Sequence, residues 1–274
     1  MEDDDLAVKQ KEGSVMVFYF TATGNSLYIA KKIDKNPISI SKAIHGDTNF
    51  TDKKIGIVCP IFAGQPPKIV LDFMRKASFK TDYFFMVLTY GMNDSDAAEY
   101  TKKLGKKIGL QIDYIRTIQM VDNYLPAFDM DEEMAIDKKI EEQIPAILEE
   151  INDRASIIPI ASKKARRLHK MVSLINRIIP RFNNGKQIKI TDACTGCGIC
   201  TKVCPTCNFY IENGKSKRRI KICEFCLACA QNCPHKAIVL KYSDKNPNAR
   251  YRNENIALQE IIDANNQNAR CAEL

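Results

Sequence analysis

Apolar runs of five to nine residues alternate with stretches in which apolar positions recur every three or four residues. Residues 15–20 (Val-Met-Val-Phe-Tyr-Phe) form the first run, broken by Thr21-Ala-Thr-Gly-Asn-Ser26 and followed by a helical stretch over 27–33. Residues 55–60 form the next, and Ile69, Val70, Phe73 and Met74 follow it at helical spacing. Residues 82–90 and 111–121 repeat the unit, with helices expected over about 94–108 and 131–151, and the short 38–40 segment supplies a fifth strand. Apolar strands alternating with amphipathic helices predict an α/β, doubly wound parallel sheet, whose ligands bind at the carboxyl ends of the strands.

Beyond about residue 155 the pattern changes. From 161 to 190 there are nine Lys or Arg and no Asp or Glu, and Leu168, Met171, Val172, Ile175, Ile178 and Ile179 recur at helical spacing until Pro180. This predicts a basic amphipathic helix, open to three readings: a connector packed on its own domains, a docking face for an acidic redox partner, or a membrane-surface helix. No recognised nucleic-acid motif accompanies the charge. The tail after Tyr242 is polar and reads as partly disordered, with a short helix over 256–262.

The chain has 274 residues and 45% hydrophobic content, enough for two modest domains and too apolar for disorder. It opens Met1-Glu-Asp-Asp-Asp5, the reverse of a secretory leader, and holds no apolar run of the roughly 18 residues a membrane span requires. A soluble, cytoplasmic protein with reduced thiols is therefore expected. Eleven cysteines then need a purpose, and nine of them lie between Cys194 and Cys233.

The Thr21–Ser26 loop sits where a doubly wound fold holds phosphate, at a helix N-terminus. It offers three hydroxyls and an amide but no lysine, and neither the triphosphatase nor the dinucleotide glycine pattern is present. Donors without a cation suit one terminal phosphate, the bland alternative being a helix cap by Thr23 or Asn25. At this loop the sequence resembles the flavodoxin family, whose FMN loop reads T-x-T-G-[NT]-[ST]. The resemblance covers about 14–155 and implies strand order 2-1-3-4-5, with Thr21, Thr23, Gly24, Asn25 and Ser26 holding the FMN phosphate. It further implies two loops at the flavin ring, with Phe62 and Gly64 on one and Tyr90 and Gly91 on the other. With no Trp in the chain, Tyr90 and Tyr124 are the candidates to stack on the ring.

Cys194-x2-Cys197-x2-Cys200-x3-Cys204-Pro205 is repeated 29 residues later as Cys223-x2-Cys226-x2-Cys229-x3-Cys233-Pro234. Three thiols at two-residue gaps followed by Cys-Pro is the bacterial iron–sulfur run, in which the fourth cysteine serves the other cluster. Zinc sites use separated C-x2-C pairs instead. Residues 188–242 resemble the bacterial two-[4Fe-4S] ferredoxins, a small α+β domain. By that resemblance Cys194, Cys197, Cys200 and Cys233 hold one cluster, and Cys204, Cys223, Cys226 and Cys229 the other. Cys207 reads as a spectator, and Cys59 and Cys271 as ordinary thiols. Asn213-Gly214 between 209–211 and 219–222 reads as a hairpin shielding one cluster face. His45, His169 and His235 show no metal-ligand spacing, and the acidic pairs 132–133, 141–142 and 149–150 read as solvated charge.

Together these imply an FMN-binding domain (14–155), a basic helical connector (156–187), a two-cluster domain (188–242) and a polar tail (243–274), similar to fused flavodoxin–ferredoxin proteins of anaerobes. The expected function is electron relay between two [4Fe-4S] clusters and FMN, with redox proteins as partners. The alternatives are a flavin-dependent reductase of a small acceptor such as a quinone or nitro compound, with Asn93, Asp94 and Tyr124 near the flavin edge, and a redox sensor or assembly factor. Oxidised clusters at about −2 each and a flavin phosphate at about −2 would bring the formal +8 down to about +2.

Overall fold

The computed structural model describes residues 14–178, 185–219, 223–267 and 271, with the side chains of 173 and 175–178 outside the description. Its first half runs β1 (Val15–Tyr19), α1 (Asn25–Ile33), β2 (Ile38–Ser39), α2 (Ile40–Ala43), β3 (Asn49–Thr51), β4 (Lys54–Pro60), α3 (Lys68–Lys76), β5 (Ser78–Lys80), β6 (Phe84–Tyr90), α4 (Ala97–Lys107) and β7 (Tyr114–Gln119). There follow α5 (Met130–Met134), α6 (Ile140–Asn152), α7 (Lys163–Ile178), β8 (Ile188–Ile190), α8 (Ile199–Val203), β9 (Phe209–Glu212), β10 (Lys215–Arg218), α9 (Ala228–Gln231), β11 (Ile238–Leu240) and α10 (Leu258–Asn265).

Five strands form one parallel sheet in the order β2-β1-β4-β6-β7, with β1 paired to β4 at Val17 opposite Gly56. Numbering only these five gives 2-1-3-4-5, the flavodoxin-like order. Alternation along β1 shows why both faces are covered. Val17 and Tyr19 enter a core beneath α1 and α6, while Phe18 and Phe20 enter the opposite core beneath α3 and α4. β3 and β5, which the hydrophobic pattern did not reveal, form a small parallel ribbon outside this sheet, with Phe50 and Phe79 stacked across it.

Three expectations need correction. The helix expected over 131–151 is two helices. The Asp129 side chain accepts from the Asp131 N–H to start α5, and Lys139, in the left-handed region at φ 50°, starts α6 afresh. Among the acidic pairs, Glu150 accepts from the buried Tyr114 hydroxyl at 2.6 Å, and Glu133 pairs with Lys138 with both side chains nearly buried. The polar tail is not disordered over its described part: Tyr251, Ile256, Ile261 and Ala264 are buried, and α10 packs against α8 and α2.

The cysteine-rich segment folds as an antiparallel β8–β11 pair, two short helices and the β9–β10 hairpin. Asn213 and Gly214 form the hairpin turn as expected, but the second arm is Lys215–Arg218, and residues 220–222 lie outside the described residues, as does Pro180. The segment shares its core with the first half: Leu125 and Met130 join Phe209, Phe225 and Leu227, while Val203 and Ala228 enter the core under α1.

Candidate functional site

The carboxyl ends of β1, β4, β6 and β7 converge on a cavity of about 660 Å³, within the usual range for a small-molecule site. One end is the Thr21–Ser26 loop. The first N–H groups of α1 have no partner within the helix and point toward that end. The loop hydroxyls show how it would receive an anion. Thr21 Oγ1 accepts from the Gly24 N–H at 3.0 Å, and Thr23 Oγ1 accepts from Asn123 Nδ2 at 2.6 Å. Each hydroxyl therefore has one of its two lone pairs occupied and its own proton left to donate. Ser26 and Thr89 hydroxyls lie 2.9 Å apart, both lining the cavity. A set of donors with no lysine fits the phosphate of a monoester, held by hydrogen bonds and the helix dipole.

Asn25 behaves differently from the other loop residues. Its Nδ2 donates to the Val121 carbonyl at 3.0 Å, and its Oδ1 accepts from the Tyr251 hydroxyl at 2.6 Å and from Asn253 Nδ2 at 3.3 Å. Its side chain thus also holds the structure together, leaving its backbone N–H and the second Nδ2 proton for a ligand. The tail does more than pass nearby: the Asn253 N–H donates to the Thr23 carbonyl and Asn265 Nδ2 to the Thr21 carbonyl, while Asn232 Nδ2 of the cysteine-rich segment donates to the Ala22 carbonyl. Gly24 permits this cover. Its φ of 103° is left-handed, and a Cβ there would stand 2.9 Å from Asn253 Cβ and 3.0 Å from Ile256 Cβ.

The side walls come from the two expected loops. Phe62 and Gln65 bridge their backbones to close a tight turn through Ala63 and Gly64, and Phe62 stands edge-on to Phe20. Gly64, at φ 86°, packs its α-carbon on the ring of His169, which a Cβ would approach to 2.8 Å. Tyr90, Gly91, Met92 and Asn93 form the opposite wall, with Tyr124 beyond them, while Asp94 turns away to accept from Thr117.

Four contributions were invisible to pattern. Asp122 accepts from the Met92 and Tyr124 N–H groups, which turns the chain out of the sheet after Gln119, and burial pushes its carboxyl above the ordinary value. His169, on the buried face of α7, pairs through Nδ1 with Asp96 and lies against the Tyr100 ring. α7 also places Val172 in the cavity wall and is tied to α4 by two hydrogen bonds from Arg166 to Glu99. His169 and Val172 thus pack on the protein, whereas Leu168 and Met171 of the apolar face expected from the sequence are exposed, and the side chains of Ile175, Ile178 and Ile179 lie outside the described residues. Finally, Glu224 lines the cavity and accepts from the Ile69 and Lys68 N–H groups at the start of α3, joining the second cysteine run to the first half. Only the packed chain places a residue so distant in sequence on that helix end.

The cysteines gather in crossed quartets. Cys194, Cys197, Cys200 and Cys233 line one small enclosure, with Cys197 exposed at its outer side. Cys204 instead lies with Cys223, Cys226 and Cys229, whose thiols feel one another electrostatically. Among the described residues no three metal-binding side chains converge tightly enough to chelate one ion. Backbone N–H groups point at the sulfurs: Ser216 to Cys194, Asn208 to Cys204, Phe225 to Cys223 and Ala237 to Cys233, at 3.3–3.4 Å. Burial pushes the Cys200 thiol up to about 11 and raises those of Cys226 and Cys229 well above the ordinary value, so a positive metal centre is what would hold them as thiolates.

Phe225, Cys226 and Leu227 line the same 660 Å³ cavity as the phosphate-type loop, and Tyr124 meets Phe225 edge-on at 6.4 Å. The spare cysteines are corrected here. Cys207 and Cys271 form a disulfide across 64 residues of sequence, because the tail folds back along α8, and Gln267 donates to the Pro205 carbonyl beside it. Arg219 donates to the carbonyls of both bridged cysteines. Cys59 is a buried free thiol.

Fold and site together define a flavodoxin-like sheet joined to an iron–sulfur segment, a combination of redox character. Residues 193–238 match the family described as 4Fe-4S dicluster domain. No curated protein sequence matches the chain significantly. Solved structures similar to it include a putative flavoprotein from Bacteroides uniformis, at 20% identity and TM-score 0.30, covering 39% of this chain and 90% of that one. A putative flavoprotein from Bacteroides eggerthii gives 19% identity and TM-score 0.33 over 50% of this chain and 97% of that one. The Flv1 flavodiiron core of Synechocystis gives 16% identity and TM-score 0.27 over 50% and 36%. No helix among the described residues is long and apolar enough to cross a membrane.

Proposed function

We propose that the chain is an electron-transfer protein that relays electrons between two [4Fe-4S] clusters and FMN. The carrying observation is that one cavity is lined both by the phosphate-type loop and by Phe225, Cys226 and Leu227 of the second cysteine run. FMN exchanges one or two electrons and each cluster one. Thr21, Thr23, Ser26 and the first amides of α1 would hold the phosphate, with Phe62, Gly64, Tyr90 and Gly91 around the ring. Cys204, Cys223, Cys226 and Cys229 would hold the cluster beside the cavity, and Cys194, Cys197, Cys200 and Cys233 the one nearer solvent. A fused arrangement keeps the centres at high effective concentration, so transfer inside the chain does not wait for a collision. Protein prepared without oxygen should contain about eight irons and one FMN; protein colourless after anaerobic reconstitution would sink the proposal.

A reductase of a small acceptor is the second reading, favoured by Asn93, Asp122 and Tyr124 lining the same cavity. Quinones, nitro compounds and inorganic acceptors offered to photoreduced protein separate the two. An acceptor turned over far faster than by free flavin supports the reductase, while fast reaction only with carrier proteins supports the relay.

A further inference from the structure

Beside the solvent-side quartet lies an open groove of about 570 Å³ lined by Lys186, Lys215, Lys217, Arg218 and Lys241, with Asp192 as its one carboxylate. The pleat of β10 explains how it is built. Side chains alternate along a strand, so Lys215 and Lys217 are exposed while Ser216 between them is buried. Ser216 turns inward, its N–H donating to Cys194 Sγ at 3.3 Å and its hydroxyl 3.1 Å from Cys200 Sγ. The same serine therefore lines both the quartet's enclosure and the basic groove. Lys215 closes the seam by donating to the carbonyls of Asp192 and Cys194.

We propose that this groove is the docking surface for a small electron-carrier protein with an acidic face, which exchanges electrons with the cluster of the Cys194, Cys197, Cys200 and Cys233 quartet. The inference rests on the electron-transfer reading above and names its outer partner. Five cations facing one carboxylate attract an acidic surface and steer its approach, an effect on association rate that weakens steeply with salt. The position matters as much as the sign. One buried residue separates the groove from two thiols, so a carrier seated there brings its own centre close to that cluster. Each encounter moves one electron from a carrier that is oxidised to a cluster that is reduced, or the reverse, with no bond made and no proton required. Net charge is a poor guide to this partner, since the cofactors offset most of the excess. The local lysines are what an approaching carrier meets.

The test uses the full holoprotein and, as probe, a small acidic [4Fe-4S] ferredoxin. Association is followed by stopped-flow with a labelled probe, and electron arrival by bleaching of the iron–sulfur absorbance. Lys186→Glu/Lys217→Glu/Lys241→Glu should slow association about tenfold or more at low ionic strength and flatten its salt dependence, with iron content unchanged. This triple leaves in place Lys215, which donates to the Asp192 and Cys194 carbonyls, and Arg218, which donates to the Gly185 carbonyl. The control is Lys164→Glu/Arg167→Glu/Lys170→Glu on the exposed face of α7, expected to change the rate far less. Equal slowing by both triples would overturn the groove as the docking site. So would no association at low salt, or inhibition by inorganic phosphate beyond that of chloride at matched ionic strength, which would make it a small-anion site. Binding of vesicles containing anionic lipid, lost with the groove triple, would overturn it in favour of a membrane. Probe that docks and reduces the clusters of protein that takes up no FMN on reconstitution keeps the docking proposal while the FMN reading fails.

Discussion

Replacing Thr23 by Val tests the phosphate loop at one atom. Valine keeps the shape and removes a hydroxyl that accepts from Asn123 Nδ2 at 2.6 Å and has its own proton left for the ligand. A hydrogen bond to a charged group is worth about 1.5–3 kcal/mol. Its loss should therefore raise the FMN dissociation constant about 10- to 150-fold. The orphaned Asn123 amide adds a cost of about 1–3 kcal/mol, but it falls on free and bound protein alike and appears in thermal stability rather than affinity. The discriminating assay is titration of flavin-stripped protein with FMN and, separately, with riboflavin, which has the same ring and no phosphate. FMN affinity should fall by that factor while riboflavin affinity stays within about twofold. An equal loss for both ligands would refute the assignment, because the hydroxyl would then be shaping the cavity rather than meeting a phosphate.

Crossed ligation gives an unusual expectation for Cys233→Ser. It should disturb the cluster of the first cysteine run, not of its own, taking iron from about eight to about four per chain, and spectra should show the same surviving cluster as Cys194→Ser. Asp122 titrates in the cavity with its carboxyl raised by burial, so its stabilising contribution is complete below the ordinary 3.8 and is lost as pH rises through the raised value. The thermal midpoint of wild type relative to Asp122→Asn should fall with rising pH through that step, and FMN, an anion, should bind more weakly above it; parallel pH profiles would contradict this. Cys271→Ser opens a disulfide closing 64 residues. In the chain-entropy picture that costs about 4 kcal/mol, and denaturation with clusters intact should show a loss of that order. Gly64→Ala places a methyl 2.8 Å from the His169 ring at a left-handed φ. It should lower stability by about 1–2 kcal/mol and weaken FMN and riboflavin equally, the opposite pattern to Thr23→Val.

Local chemistry made much of this legible. Five strands were readable because a two-sided parallel sheet demands continuous apolar runs, and the phosphate-type loop because a strand, a hydroxyl-rich turn and a helix leave little else for those donors. The two cysteine runs were legible from their spacing, and their crossed grouping was what the resemblance to two-cluster ferredoxins implied. The helix break at Lys139 was not legible, because nothing in its neighbours forces a left-handed residue there. Nor was the role of Asn25, whose amide faces a loop 96 residues away and a tail more than 200 residues away.

The sequence by itself determined the kinds of chemistry present: a doubly wound sheet, donors for a phosphate and two runs of iron–sulfur type. Tertiary structure alone decided how they are joined. It set the second cysteine run into the wall of the sheet's cavity through Glu224 and Phe225, folded a polar tail over Gly24, bridged Cys207 to Cys271, and put a line of lysines beside the outer quartet. The physical reason is the range of the forces. Strands, caps and ligand spacings are fixed by residues a few positions apart, whereas burial and side-chain hydrogen bonds act between whatever surfaces packing brings together, at separations in sequence that no local pattern records.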